Sequence, residues 1–298
     1  SLLMNVIPAK VAGVDEIAVF MGPMQDGTIH PAMLVAAAEC GVREIYKCGG
    51  AQAVAAMAYG TPTIPKVDKI TGPGNLYVQL AKKEVYGLVD IDKFAGPSEV
   101  LVVADHTAHP DYVAADLISQ AEHGEDSSAI LVTTSRGIAE QVRAEIEFQV
   151  QKLSRQSQLK GAFENYGAAF VVEDLPEAIA LVNTIAPEHV ELVAENPLEW
   201  VGAIRNAGAI MIGPYTPESV GDYIAGPNHT LPTGGAARYA SPLSVDDFLK
   251  KTSLISYTAT ALEKVTPVVV KLAQIEGLDG HAAAMTIRFE ENQSKTRG

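Results

Sequence analysis

The first hundred residues alternate short apolar runs with longer stretches in which small and apolar residues recur at helical spacing. Residues 16–20 and 43–50 are rich in the β-branched and aromatic residues of strands, and residues 31–41 and 51–60 have alanine-rich helical patterns that end at glycine. Strands that alternate with helices of this length are typical of β-α-β units. The pattern therefore predicts a parallel sheet in this part of the chain.

A second alternating run begins near Ser98 and ends near residue 245. Its first strand, predicted over 99–105, shows no polar alternation, which is typical of a sheet covered on both faces. The remaining predicted elements are, in order, helix 111–124, strand 127–134, helix 136–153, strand 167–174, helix 175–185, strand 189–193 and strand 207–213. This run predicts a second parallel α/β domain.

The pattern changes after Asp247, where a short predicted strand is followed by helical segments. We therefore predict an α/β fold with two incomplete Rossmann-like parallel-sheet domains and a small, mainly helical C-terminal tail. The predicted domains are residues 1–97, 98–245 and 246–298. A chain of 298 residues agrees with about two domains of the usual size plus such an appendage.

Composition narrows the partners that we expect. Hydrophobic residues make up 47%, enough for a real core, whereas the formal charge of −14 argues against a nucleic-acid partner, since such proteins concentrate Lys and Arg. The sequence has no apolar run long enough to span a bilayer and no basic amphipathic helix, so we expect no membrane partner. Cys40 and Cys48 are too few for a disulfide framework, which favours a reducing, cytoplasmic location.

The chain opens on SLLMNVIPAKVAG, which has the pattern of a helix already under way and lacks the charge pattern of a signal peptide. We therefore expect that this sequence begins inside a larger gene product. An upstream plastid or other targeting segment remains an open alternative.

The stretch from residue 211 to 247 combines many prolines and glycines with reactive side chains. Five of each exclude a long helix or a central strand through it. Long segments without regular structure are usually either binding loops or disordered connectors, and disorder favours low hydrophobicity, which is not found here. The polar residues interleaved with apolar ones are Tyr215, Glu218, Asp222, Asn228, His229, Arg238 and Ser241. We therefore expect a rigid loop that presents acids, amides and a histidine.

The run GPGNLYVQLAKK at residues 72–83 resembles the dinucleotide-binding fingerprint but lacks its third glycine, where this chain has Tyr77. What remains is a glycine turn at the start of a helix, which could offer backbone N–H groups to an anion. Asn75 could bind a ligand from this turn. A plain helix start is the more conservative interpretation.

The run SQAEHG places Gln120 and His123 three residues apart near the end of a helix. This spacing lets an amide oxygen and an imidazole converge on one ion. The alternative is an ordinary helix end with a histidine before a capping glycine.

The run APEHVEL places Glu188 and His189 next to each other just before a predicted strand. Neighbouring side chains of an extended chain point in opposite directions, so the two could serve different steps rather than bond to each other. A histidine there could act as a general base near neutral pH. A solvated loop pair is the equally weighted alternative.

Further donors follow in the proline-rich loop and in the tail. Asp222 and His229 lie seven residues apart, and IEGLDGH adds Glu276 and His281. Each alone fits a helix cap or a turn. Together with Gln120 and His123 they form a donor set of nitrogen and oxygen atoms without a thiolate. That set suits Zn²⁺ or Mn²⁺ with room left for a substrate, rather than a closed structural zinc site.

Taken together, these segments closely resemble the histidinol dehydrogenase family. The resemblance rests on motifs that match in order and over long unbroken stretches, and it covers essentially the whole chain: GPGNLYVQLAK, AGPSEVLVVAD, DLISQAEHG, PEHVEL, GPYTPESVGDYIAGPNHTLPTGGAARYASPLSVDDF and EGLDGH. It implies an NAD-dependent, zinc-requiring oxidation of L-histidinol to L-histidine through a bound aldehyde, the last step of histidine biosynthesis. Since histidinol is cationic, the acidic balance of the chain agrees with this substrate.

The resemblance also implies a role for individual residues. Those that match the zinc ligands are Gln120, His123, Asp222 and, from the partner subunit of a homodimer, His281. Those that match the acid/base pair are His189, for the alcohol proton, and Glu188, for activating water on the aldehyde. Substrate contacts are implied for the zinc ligands, His189, Ser98, His229 and Glu276, the last across the dimer. Contacts to NAD are implied for Gln52 and Asn75. The first domain would therefore contact NAD, the second would carry most metal and catalytic residues, and the tail would form the dimer.

The chain departs from the family in one respect. Family members carry roughly another hundred residues before the point where this sequence starts, about one small domain. The alternatives to a histidinol dehydrogenase are a related dehydrogenase of another amino or sulfo alcohol, a zinc hydrolase in which Glu188 activates water on an ester or amide, and an inactive fragment that only dimerises.

Overall fold

The computed structural model describes residues 1–93 and 96–294. The chain forms two compact units, Ser1–Leu249 and a second one that begins at Lys250. Residues 94, 95 and 295–298, which belong to the first predicted domain and to the predicted tail, lie outside the described residues. Both predicted α/β domains fall within the first unit, and their division at residue 97 stays a prediction.

The first part of this unit contains short strands between helices. Its elements are α1 (Leu2–Val11), β1 (Ala18–Phe20), α2 (Pro31–Glu39), β2 (Glu44–Tyr46), α3 (Gly50–Tyr59), β3 (Lys69–Ile70), α4 (Leu76–Val85) and β4 (Asp90–Ile91). Strand β1 pairs with β2 and β3 pairs with β4, both in parallel. The alternation of strands and helices that the hydrophobic pattern predicted is therefore present.

The second part contains longer strands. Its elements are β5 (Glu99–Ala104), α5 (Pro110–Ala121), β6 (Ser128–Thr133), α6 (Arg136–Val150), α7 (Gln156–Tyr166), β7 (Gly167–Val171), α8 (Leu175–Ile185), β8 (His189–Val193), α9 (Leu198–Val201), β9 (Ala209–Ile212) and α10 (Glu218–Tyr223). The strands form one parallel sheet in the order β7-β6-β5-β8-β9. The predicted α/β class with parallel sheets is confirmed.

Strand β5 lies at the centre of this sheet and explains why its sequence shows no polar alternation. Val100 and Val102 pack on one face with apolar residues of α5, α6 and α7. Leu101 and Val103 pack on the other face with Ile179 and other apolar residues of α8. Because both faces are covered, successive residues are all buried, as expected for a doubly covered parallel strand.

Strand β8 is positioned by the helix before it. Asp174 caps the start of α8 by accepting a hydrogen bond from the N–H of Glu177 at 2.9 Å. The helix ends at Ala186, a buried non-glycine residue in the left-handed conformation at φ 55°. Such a conformation costs roughly 1–2 kcal/mol for a residue with a Cβ. This turn directs the chain through Pro187 to Glu188 and into β8.

The second unit is mainly helical. It contains α11 (Ala259–Ile275) and α12 (Asp279–Ser294), which pack against each other. The short strand predicted after Asp247 is wrong, because residues 249–258 have no regular structure and Leu254 and Ile255 are exposed. Their β-branched and apolar character resembled a strand, but no neighbouring strand pairs with them within the described chain. Helix α7 was missed, because its polar composition gave no clear periodic signal.

None of the helices over the described residues has the length and apolar character needed to cross a membrane.

Gly208, just before β9, is expected to be intolerant of a side chain. A Cβ at this position would lie 2.5 Å from the carbonyl oxygen of Glu188. We expect Gly208→Ala to lower the free energy of unfolding by roughly 1–3 kcal/mol, as for other overpacked positions. Urea unfolding of the variant measures this. Gly202→Ala is the matched control, since its Cβ would meet nothing within 4 Å, and a loss there as large as at Gly208 would contradict the steric argument.

Candidate active site

The predicted metal, catalytic and substrate residues of the first unit gather around the amino ends of β5 and β8, whereas Gln52 and Asn75 lie at the starts of α3 and α4. Ser98 precedes β5, His189 is the first residue of β8, and Gln120 lies in the last turn of α5, which returns the chain to this edge. Open α/β sheets usually bind ligands at the carboxyl ends of their strands. The candidate site therefore uses the opposite edge of the sheet, where strand starts meet a helix end.

Glu188 and His189 are both buried and are held by the start of β5. The Oε2 of Glu188 accepts a hydrogen bond from the backbone N–H of Glu99 at 3.0 Å. The Nδ1 of His189 lies 3.1 Å from the carbonyl oxygen of Glu99. A carbonyl oxygen can only accept, so Nδ1 carries the proton and Nε2 of the neutral ring has a free lone pair. With Nδ1 protonated, His189 can act as a base through the lone pair of Nε2.

Contrary to the expected opposite directions, these two side chains lie near each other. The Oε2 of Glu188 is 3.6 Å from Nδ1 of His189, beyond hydrogen-bonding distance. The reason is that Glu188 precedes β8 rather than lying within it, and both side chains turn towards the same residue of β5. They remain separate groups without a mutual hydrogen bond.

Burial shifts the protonation of both residues. Desolvation lowers the pKa of His189 to about 4, so its imidazole is neutral at neutral pH. Desolvation raises the pKa of Glu188 well above its usual value, aided by the nearby charges of Glu99 and Glu218, while a hydrogen bond from Glu99 opposes the rise. A carboxyl group shifted upwards in this way can gain and lose a proton closer to neutral pH.

Three side chains next to this pair are arranged as metal donors. One ligand atom each from His123, Glu218 and Asp222 lies within 4.8 Å of the others. His123 follows α5, whereas Glu218 and Asp222 lie one turn apart on α10. The sequence placed His123 and Asp222 in one donor set, and the fold brings them together across about a hundred residues of chain.

Gln120 lies beside this group. Its side chain is fully buried, and its amide is oriented with nitrogen towards both carboxylate oxygens of Glu218 and oxygen towards the N–H of Glu99 at 3.0 Å. This orientation is assigned from the hydrogen-bond network, because the opposite orientation would place the amide oxygen of Gln120 against the carboxylate oxygens of Glu218, which also accept. Gln120 therefore connects the donor cluster to the start of β5.

Glu218 was named among the polar residues of the proline-rich loop but was not included in the predicted donor set. Glu218 is 3% exposed, and desolvation together with the charge of Asp222 raises the pKa of its carboxyl group to about 8. The signal that could have found it is the spacing of Glu218 and Asp222, which is four residues and places both on one face of a helix. The spacing was not recognised, because the many prolines and glycines indicated a loop without a long helix here.

Two further acids, the buried Glu191 and the half-buried Asp116, lie close to each other near α10. The Oε1 of Glu191, in β8, accepts a hydrogen bond from the backbone N–H of Glu218 at 2.9 Å. Burial and the neighbouring Asp116 raise the pKa of Glu191 to about 9, and burial also raises the pKa of Asp116. The pair therefore holds a proton at neutral pH. The same shift ties the stability of the protein to pH.

We expect the free energy of unfolding to decrease as the pH rises from about 5 towards 9. The folded protein retains the proton of Glu191 over this range, whereas the unfolded chain releases it near the ordinary glutamate value, so each pH unit costs up to about 1.4 kcal/mol. Urea unfolding of metal-free protein across this range measures the slope. Glu191→Gln should flatten it, and Glu140→Gln, an exposed acid on α6, should not. An equal slope in all three proteins would contradict the assignment.

His229 and Ser98 lie close to the acids and strands of the site. The Nδ1 of His229 donates to the carbonyl oxygen of Asp222 at 2.9 Å, and its Nε2 lies 3.1 Å from the hydroxyl of Ser1. The first of these bonds ties the histidine to α10. Ser98 is half-buried and its carbonyl oxygen accepts a hydrogen bond from Ser128. Neither contact tests the substrate roles predicted for these two residues.

The residues predicted to contact NAD lie at two helix starts. Asn75 caps α4 by accepting a hydrogen bond from the N–H of Val78 at 3.2 Å, which is the conservative interpretation of the glycine turn. Gln52 lies exposed in the first turn of α3. Both residues are exposed, and their contacts to NAD stay predictions.

Glu276 and His281 belong to the second unit. Glu276 is the C-cap of α11, and His281 lies in the first turn of α12. Both are exposed, on either side of a turn that contains Gly277 at φ 71°. The turn presents an acid and an imidazole together.

The sheet edge combines a buried acid, a neutral buried histidine and three clustered side chains that could hold a metal ion. Such a combination is typical of an enzyme active site. The sequence profile of the histidinol dehydrogenase family matches residues 1–289. The chain belongs to this family.

Individual relatives agree with this assignment. The chain is 55% identical over 293 residues to histidinol dehydrogenase from Halalkalibacterium halodurans, covering 98% of this chain and 69% of the relative. It is 54% identical over 290 residues to histidinol dehydrogenase from Clostridium acetobutylicum, covering 97% and 67%. The crystal structure of histidinol dehydrogenase from Elizabethkingia anophelis superposes with a TM-score of 0.91 at 43% identity, covering 98% and 67%. The chain thus spans about two thirds of the length of these relatives.

Proposed function

We propose that this protein oxidises L-histidinol to L-histidine through histidinaldehyde, in two NAD-dependent steps at a zinc-binding site. The observation that carries the proposal is the convergence of Glu188 and His189 with the donors His123 and Asp222 at one sheet edge. Membership of the histidinol dehydrogenase family supports this substrate and this position at the end of histidine biosynthesis. The two free cysteines are compatible with the cytoplasmic location that we also propose.

The donor set fits a divalent metal ion. Imidazole and carboxylate atoms that lie within 4.8 Å of one another are the ligands that zinc takes in catalytic sites, and oxygen donors also suit Mn²⁺. We propose His123 and Asp222 as ligands, with Glu218 beside them. Gln120 is the third proposed ligand, and it would bind the ion by turning its amide oxygen from the N–H of Glu99 towards this cluster. Zinc, when bound, would supply positive charge that fixes the polar groups of the substrate and orients its reacting carbon.

His189 is the proposed base of the first oxidation. Its Nε2 lone pair is free, because Nδ1 donates to Glu99, and its low pKa keeps the ring neutral. The residue would take the hydroxyl proton of the alcohol while a hydride leaves the carbon. NAD, when bound, would accept that hydride and a second NAD would accept the next.

Glu188 is the proposed base of the second oxidation. Water must add to the aldehyde carbon before the second hydride can leave, and a carboxylate that takes one proton from this water promotes the addition. The raised pKa of Glu188 means that the proton it takes is held strongly. Burial also limits competing water around the reacting groups.

The tail is proposed to complete the site of a second copy of the chain. Glu276 and His281 would contact substrate and metal from the partner subunit of a homodimer. The support is chemical: the exposed turn presents one carboxylate and one imidazole, which is what a zinc site with an open ligand position accepts. Gln52 and Asn75 are the proposed contacts to NAD, and Ser98 and His229 the proposed contacts to substrate.

The proposal is tested by following NADH formation from L-histidinol with purified protein whose intact mass has been measured. We expect turnover that a chelator abolishes and zinc restores. Undiminished turnover in metal-free protein would refute the zinc site. Turnover of another amino or sulfo alcohol, without turnover of histidinol, would mean that the protein is a related dehydrogenase with that alcohol as its substrate. The hydrolase alternative would be favoured if zinc-saturated protein hydrolysed an ester and showed no binding of NAD by titration calorimetry.

A further inference from the structure

Glu99, the first residue of β5, contacts both proposed catalytic residues, although the family resemblance gave it no role. The pairing of β5 with β8 sets Val100 opposite His189, so Glu99 lies opposite Glu188. Glu99 uses its backbone N–H, its backbone carbonyl and both oxygens of its carboxylate in this region.

The contacts between Glu99 and Glu188 are reciprocal. The N–H of Glu99 donates to Oε2 of Glu188 at 3.0 Å, and the N–H of Glu188 donates to Oε2 of Glu99 at 3.2 Å. Each residue therefore fixes the other by one side-chain and one backbone group. The second oxygen of the Glu99 carboxylate accepts from the N–H of Gly234 at 2.9 Å, which anchors the proline-rich loop to the same point.

The contact between Glu99 and His189 is of a different kind. It runs from Nδ1 of the imidazole to the backbone carbonyl of Glu99 at 3.1 Å. A substitution of the side chain leaves this carbonyl in place. The tautomer of His189 thus depends on the backbone of Glu99, whereas the position of Glu188 depends on its carboxylate as well.

We propose that the carboxylate of Glu99 is a positioning group for Glu188, and that its loss impairs the oxidation of the aldehyde more than that of the alcohol. This inference rests on the proposed function, since it assigns the aldehyde step to Glu188 and the alcohol step to His189. Without the carboxylate, the N–H groups of Glu188 and Gly234 lose their acceptor. Glu188 keeps the bond from the N–H of Glu99 to its side chain and the bond from the N–H of Ala209 to its carbonyl oxygen. A base displaced by about an ångström can lose two orders of magnitude in rate.

The test uses Glu99→Ala and Glu99→Gln and measures the two half-reactions separately, with L-histidinol and with L-histidinaldehyde as substrates. For Glu99→Ala we expect kcat with the aldehyde to fall at least tenfold further than kcat with the alcohol, with KM little changed and aldehyde released during alcohol turnover. Glutamine keeps one accepting oxygen and turns its amide nitrogen towards the other N–H group, so Glu99→Gln should slow the aldehyde step less than Glu99→Ala but still more than the alcohol step. Glu44→Ala, at the exposed first residue of β2, is the control and should leave both steps unchanged.

The outcomes separate this inference from the proposed function. Equal falls in both half-reactions, or no fall in either, would overturn the positioning role while the unaltered protein remains an active dehydrogenase. If Glu99→Ala does not fold, as judged by circular dichroism, the ratio of the two steps in Glu99→Gln decides, and a ratio equal to that of the unaltered protein overturns the inference. No histidinol-dependent NADH formation by the unaltered protein would overturn the proposed function and this inference with it.

Discussion

Replacing His189 with asparagine is expected to lower kcat for histidinol oxidation by about 10²- to 10⁴-fold, the range that a positioned general base contributes. The imidazole is the group whose free Nε2 can take the alcohol proton, because Nδ1 donates to the carbonyl of Glu99. Asparagine is smaller and can still donate to this carbonyl, so the fold should be kept. Steady-state NADH formation at saturating histidinol and NAD measures the effect.

Two controls make the result specific. His106→Gln changes an exposed histidine just after the carboxyl end of β5, at the other edge of the sheet, and should leave kcat unchanged. Zinc affinity should be the same in His189→Asn as in the unaltered protein, since His189 is not among the proposed ligands. A kcat within threefold of the unaltered protein would remove His189 from the mechanism.

Replacing Asp222 with asparagine is expected to weaken zinc binding by more than about 10²-fold. Substitution of groups that merely support a ligand already costs about 10- to 100-fold in affinity, and the loss of a charged ligand should exceed this. The backbone carbonyl of Asp222 still accepts from His229, so the local fold of α10 should persist. Competition with a chromophoric chelator measures the dissociation constant without depending on activity.

The matched control for charge is Glu122→Gln. Glu122 follows α5 and is near enough to Glu218 to raise its pKa, but it is not among the three clustered donors. The Glu122→Gln variant tests whether the loss of one nearby negative charge is sufficient to weaken zinc binding as much as Asp222→Asn does. We expect at most a few-fold change, because through-space charge effects are smaller than the loss of a ligand. Equal losses in the two variants would mean that Asp222 acts through its charge alone.

The concentration of buried acids explains why such a site attracts cations. Burial raises the pKa of Glu188, Glu191, Glu218 and Asp116, so the fold pays a desolvation cost to keep these groups together. A bound divalent cation would offset part of that cost, and a cationic substrate would too. Strongly shifted carboxyl groups in one region are typical of functional sites rather than of simple structural cores.

Most of the α/β architecture could be predicted from the sequence. The apolar runs within β5 and β6 are typical of strands covered on both faces, and Asp174 before Leu175 is a standard helix start. The strand predicted after Asp247 is the exception, since these residues have no regular structure. A short β-branched run forms a strand only where a partner strand is present, and partners are decided elsewhere in the chain.

Site residues were predicted unevenly, for a physical reason. Gln120, His123, Glu188 and His189 stood out because reactive residue types lie close together in short, unusual runs, and the family resemblance then gave each a role. Glu99 and Glu191 lie inside strands, where a lone acid among valines carries no sign of its partner. Their importance arises from hydrogen bonds to Glu188 and Glu218, which are distant in sequence.

The sequence by itself determined the class of fold, the family and the chemical types of the donors, because these depend on local patterns and ordered motifs. The tertiary structure alone decided that the site lies at the amino ends of β5 and β8, that Glu218 joins His123 and Asp222, and that Glu99 contacts both proposed catalytic residues. Strand register and helix packing set these distances. Both depend on how the whole core closes, so no local run of residues contains them.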